Sequence, residues 1–100
     1  MTFRDLQEGI IRNARAYGER FHIKIDEDFA LLKLYEEMGE FAQAVLIYRK
    51  KSRPEKFLPD EKAKELVATE LADVIGMALV NADLLDIDIE AAFEKKWLKK

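Results

Sequence analysis

Apolar residues recur along the chain at spacings of three and four, with no sustained alternation of period two, and this pattern predicts helices throughout. Phe3, Leu6, Ile10, Ala14 and Tyr17 fall on one side of a first helix over about residues 3–17, with Asn13 among them. Thr2 followed by Asp5 has the pattern of a capping box at its start, and Gly18 suits a C-terminal stop. Residues 19–25 are mixed and predict a loop with an extended piece. A second helix is expected to begin near residues 26–28, where acids suit an N-terminus, and to run to about residue 51. Pro54 and Pro59 cannot continue it, so residues 52–60 form a connection. Asp60 can cap a third helix over about residues 61–85, and a short fourth is expected over about residues 88–99. The pattern predicts one all-α domain, residues 1–100, with two long central helices.

Composition narrows this picture. The chain is 49% hydrophobic and 37% charged, which suits a helix-rich globular domain and argues against disorder. It has no cysteine, so disulfides, thiolate metal sites and a cysteine nucleophile are excluded together. The longest stretch without a charge, residues 74–82, is nine residues and far short of a membrane span. No basic region followed by an apolar core opens the sequence, so a cytoplasmic protein without a membrane partner is expected. A net charge of −3 also argues against a general nucleic-acid binder.

Position tells more than the total. At 100° per residue, Glu37 shares a face of the second helix with Ala30, Lys33, Glu40, Ala44 and Tyr48. On the third helix, Glu70 shares a face with Leu66, Asp73, Met77 and Asn81. Each long helix thus carries two carboxylates three residues apart in a small or apolar stripe, where a solvated face would carry Lys, Gln and Ser. An inward-turned stripe would bring Glu37, Glu40, Glu70 and Asp73 together. A single pair of such charges 4 Å apart costs roughly 4 kcal/mol at an effective dielectric near 20. Either the acids protonate or a cation sits between them. Oxygen-only ligands select a hard ion, Mg²⁺ first and Mn²⁺ second, and Mg²⁺ commonly takes substrate phosphate oxygens as well. A ferritin-like di-iron bundle needs a Glu-x-x-His motif on two helices, whereas the one histidine, His22, lies between the first two.

The stretches LLKLYEEMGEFAQAVL and ELADVIGMALVNADLLDIDIEAAFEKKW resemble the MazG-like all-α nucleoside triphosphate pyrophosphohydrolases over residues 31–97. The family pattern Glu-Glu-x-x-Glu, then Glu-x-x-Asp, reads here as Glu36, Glu37 and Glu40, then Glu70 and Asp73. The resemblance implies a four-helix bundle completed by oligomerisation as a homodimer or homotetramer. It implies Mg²⁺-dependent cleavage of a nucleoside triphosphate between the α and β phosphates. Glu37, Glu40, Glu70 and Asp73 match its metal ligands, and Glu36, about 100° round from Glu37, matches the first acid of the pattern. Asn81 matches an asparagine that often follows on the same face, and Lys96 matches a basic position near the end of the pattern.

Other residues carry open alternatives. Lys33 suits either a phosphate oxygen or a helix pair with Glu37. His22, Phe21, Phe41, Tyr48 and Trp97 are candidates for stacking on a base or for ordinary packing, with His22 foremost. Residues 49–56 form a basic cluster best read as a solvated loop. Gly39 and Gly76, inside the long helices, suggest close approach within the chain or at a subunit contact. Phosphoribosyl-ATP pyrophosphohydrolase is a related alternative, although the sequence lacks a histidine-containing stretch in the third helix. A non-catalytic helical interaction module is the alternative of another class.

Overall fold

The computed structural model describes residues 1–99, which form four α-helices and no strand. They are α1 (Phe3–Phe21), α2 (Glu27–Tyr48), α3 (Asp60–Leu84) and α4 (Ile89–Lys96), with a single 3-10 turn at Pro54–Lys56. One start follows from an expected cap, and two more, near the expected positions, are capped by aspartates. Thr2 Oγ1 accepts from the Asp5 amide while Asp5 Oδ2 accepts from the Thr2 amide, both at 3.1 Å. Asp26 Oδ1 accepts from the Phe29 amide at 2.9 Å, and Asp88 Oδ1 from the Ala91 amide at 3.0 Å. The start of α3 differs. Its flanking residue is Pro59, and Asp60 Oδ1 instead accepts from Lys50 Nζ at 3.0 Å.

The helix ends depart from expectation more than the starts. α1 does not stop at Gly18 but runs through it to Phe21, so residues 19–21 are helical rather than loop. Gly18 is needed for another reason: the chain after α1 doubles back over it. A Cβ there would lie 2.6 Å from Ile25 Cγ1 and 2.7 Å from the Ile23 carbonyl oxygen. The turn itself is made by His22 in the left-handed region, φ 55°, with the Ile23 amide donating to Gly18 O at 2.9 Å. Lys50 (φ 55°) and Asp86 (φ 56°) end α2 and α3 in the same way. Lys51 N–H donates to Leu46 O at 2.8 Å, and Ile87 N–H to Ala82 O at 2.9 Å, the bonding of a Schellman turn. α2 therefore closes at Tyr48 rather than 51, α3 spans 60–84, and α4 stops at Lys96 rather than 99.

The main packing seam joins α2 to α3. Ala30, Ala44 and Ala63 are buried along it, and such short side chains let the two backbones come close. Leu79, Val80 and Ala82 extend the core near the end of α3. α1 docks more lightly on α3, aided by a surface ion pair from Arg15 to Asp83 at 3.5 Å. The Phe3 and Phe93 rings meet edge-on, centroids 6.3 Å apart, and tie α4 to the start of α1.

The result is a plate, 44 × 43 × 24 Å, two helices thick. Its radius of gyration is 15.8 Å, against about 13 Å for a compact domain of this length. Among the described residues no large side chain is fully buried. Along the outer side of α2, Leu32 (67% exposed), Tyr35 (65% exposed) and Leu46 stand in solvent, and nothing lies within 4 Å of where a Cβ on Gly39 would be. Gly39 thus marks no close approach within the chain, while a Cβ on Gly76 would meet Ile10 of α1 at 3.9 Å. No helix is long and apolar enough to cross a membrane among the described residues.

Candidate metal centre

Midway along the α2–α3 seam the alanines give way to acids. Glu37 from α2, and Glu70 and Asp73 from α3, each offer a carboxylate oxygen, and these atoms lie within 4.8 Å of one another. Glu37 is only 7% exposed, Glu70 half-buried and Asp73 exposed. Glu37 Oε2 and Glu70 Oε2 are buried and have no hydrogen-bond partner among the described residues. An unpartnered buried acceptor is costly, more so when ionised.

The electrostatics follow from that placement. Burial first, then the charges of Glu40 and Asp73, push the Glu37 carboxyl up to about 7, against the opposing pull of Lys33. Glu70 is raised as well, by burial first and then by Glu40 and Asp73. Lys33 bonds Glu36 through its Nζ and stands 3.8 Å from Glu37 Oε1. Its ammonium is held above its ordinary value chiefly by the bond to Glu36. One ammonium shared with Glu36 does not neutralise this set of acids.

The expected site residues divide. Glu37, Glu70 and Asp73 come together as the two stripes require. Glu40 is exposed, close enough to raise both glutamates but outside that trio. Glu36 is exposed and held by Lys33. Four inward-facing acids are therefore not what the chain presents: Glu37 is buried, Glu70 half-buried, and Glu40 and Asp73 exposed. Asn81 points into the seam, where its Nδ2 donates to Ala30 O at 2.9 Å and to Met77 O at 2.8 Å. Both amide protons are used, which leaves only an acceptor, so Asn81 serves as a clamp between α2 and α3 rather than as a phosphate donor. His22 lies apart, in a shallow depression with Arg15, Glu19 and Lys24, and its backbone makes the turn after α1. Lys96 is exposed on the last turn of α4.

A cleft of about 740 Å³ opens between α1 and the α2–α3 pair, and Lys33, Glu37 and Asp73 line one part of it. None of the expected stacking residues borders it; its aromatic lining is Tyr17 and Phe29. Asn13 also lines it. The signal for Asn13 was the one that marked the acids, a polar residue in an apolar stripe. Two residues of the basic cluster engage neighbours: Lys50 pairs with Asp60 and lies 5.7 Å from the Phe57 ring centroid, and Arg53 pairs with Glu55 at 3.5 Å.

The chain matches no family model, no curated protein and no solved structure. The chemistry of the site therefore rests on its own donor set. Three carboxylates with two orphaned oxygens suit a hard cation, which would supply the missing partners and relieve the mutual repulsion at once. The acidic trio could hold a metal ion.

Proposed function

We propose that this chain is a cytoplasmic, MazG-like nucleotide pyrophosphohydrolase that uses Mg²⁺ to cleave nucleoside triphosphates to a nucleoside monophosphate and pyrophosphate, in a housecleaning role. One observation carries the reading: carboxylates from two facing helices meet in the seam, Glu37 and Glu70 with orphaned buried oxygens, and Glu37 and Asp73 also line a cleft of about 740 Å³. Glu37, Glu70 and Asp73 would hold the ion, with Glu40 beside them as a fourth ligand, and Mn²⁺ is the alternative metal. When bound, the ion neutralises phosphate charge and makes a water more acidic. The chain's own groups do the rest. A carboxylate takes the proton of the attacking water as its oxygen bonds to the α-phosphorus. The bond from that phosphorus to the bridging oxygen breaks, and pyrophosphate leaves. Lys33 exchanges its pairing with Glu36 for a phosphate oxygen.

The plate-like shape and the apolar outer side of α2 support a homodimer or homotetramer. The same exposed face is what favours the second reading, a helical interaction module that keeps the acids without catalysis. Pyrophosphate release separates the two. With Mg²⁺ and a panel of canonical and modified nucleoside triphosphates, release is expected from at least one and is abolished by EDTA. No release from any of them removes the enzyme reading and leaves the module. Release that survives Glu37→Gln and Asp73→Asn would show that the site lies elsewhere.

A further inference from the structure

The cleft is chemically divided. Its charged groups, Lys33, Glu37 and Asp73, come from α2 and α3, whereas α1 contributes apolar side chains such as Leu6 and Ile10, which face Phe29, Met77 and Val80. Within the α1 wall stand one amide, Asn13, and one phenol, Tyr17. Asn13 is exposed, and its side chain takes part in none of the side-chain hydrogen bonds of the described residues. It sits in the interior of α1, where asparagine is one of the poorer helix formers. Backbone geometry does not require it there.

A nucleotide is divided in the same sense, with its charge on the phosphates and a flat base that is apolar on its faces and polar at its edge. We propose that the α1 side of the cleft is the base subsite of the pyrophosphohydrolase proposed above, and that Asn13 is its specificity-determining residue. Its amide presents a donor and an acceptor side by side, the arrangement that pairs with adjacent groups on a base edge. Apolar walls alone distinguish ligands by size, at best about 200-fold for a methylene, whereas a hydrogen-bonding group left unpaired rejects the wrong ligand far more strongly. A volume of about 740 Å³ lies within the usual range for small-molecule sites.

The test compares kcat/KM for the four common bases, as ribo- and deoxyribonucleotides, in the wild type, Asn13→Leu and Asn13→Asp. Asn13→Leu keeps the wall and removes the amide; its spread between best and worst base is expected to shrink by about tenfold or more, mostly through KM. Asn13→Asp keeps the shape and loses the donors, and is expected to reorder the bases rather than level them. A second readout needs no turnover: in metal-free protein, the Asn13 side-chain ¹⁵N–¹H signals should shift on adding nucleoside monophosphates. An unchanged base ranking in both variants, or Asn13 signals that do not move, overturns the subsite while leaving the hydrolase intact. A wild type that neither releases pyrophosphate nor binds a nucleotide overturns both.

Discussion

Two polar features interrupt the same α2–α3 seam about two turns apart, and they are resolved in opposite ways. At Asn81 both amide protons find carbonyl oxygens, at 2.9 and 2.8 Å, and the residue is complete. At Glu37 and Glu70 an oxygen of each is buried with no partner, and the chain accepts the imbalance. Neighbours in one interface thus differ in whether the fold finishes them. A satisfied polar group in a seam fixes register and stability; at the unfinished one, the proposed ion would supply the partners the chain does not.

The largest effect that separates the two should be on turnover. Glu37→Gln keeps the shape and removes the charge, and pyrophosphate release is expected to fall roughly a thousandfold, about 4 kcal/mol of barrier. Asn81→Asp and Asn81→Leu should lower activity only as far as they lower stability, which parallel melting curves would show.

Stability against pH draws the next line. The Glu37 carboxyl titrates near 7 in the folded chain against 4.5 ordinarily, so the folded chain binds the extra proton. The contribution of this group to stability is then fully present below about 4.5 and is lost as pH rises through about 7. In metal-free protein this loss should be at most about 3 kcal/mol, shrinking in Glu37→Gln and in wild type with saturating Mg²⁺. A denaturation midpoint that ignores pH between 5 and 8, at about constant salt, would sink the assignment.

Breaking the clamp comes third. Asn81→Leu leaves the Ala30 carbonyl without its cross-helix donor, and a loss of about 2 kcal/mol is expected in urea melts, independent of pH and Mg²⁺. The smallest effect serves as a control. Asp86 occupies the left-handed region at an exposed helix end, so Asp86→Gly should stabilise the chain by about 0.5 kcal/mol and leave activity alone.

The same contrast shows what the sequence could and could not disclose. The helices were legible, and so was the Thr2 cap, which is local chemistry; the cap expected from Asp60 was not made, because its carboxylate turns to Lys50. The ends were not legible: His22, Lys50 and Asp86 take a conformation for which glycine is the usual sign, and Gly18 is demanded by a chain returning from outside its own helix. The meeting of Glu37 with Glu70 and Asp73 was legible from helical spacing, since two acids in each apolar stripe leave few other arrangements. How deep each would sit was not, because a helical wheel gives direction without the distance to the neighbour. Glu40 shares the Glu37 stripe and still emerges into solvent. The Asn81 clamp rests on one residue against one carbonyl 51 positions away, which no local pattern encodes.

A body 24 Å thick has room for two helix layers and no third, so its interior is closer to a plane than to a volume. The proposed homodimer or homotetramer would complete it from outside. In the proposed dimer, completion is a mass-action event, and each tenfold rise in protein concentration should add about 1.4 kcal/mol to the stability of the assembled state. The melting point of this chain would then be a property of the solution as well as of the sequence.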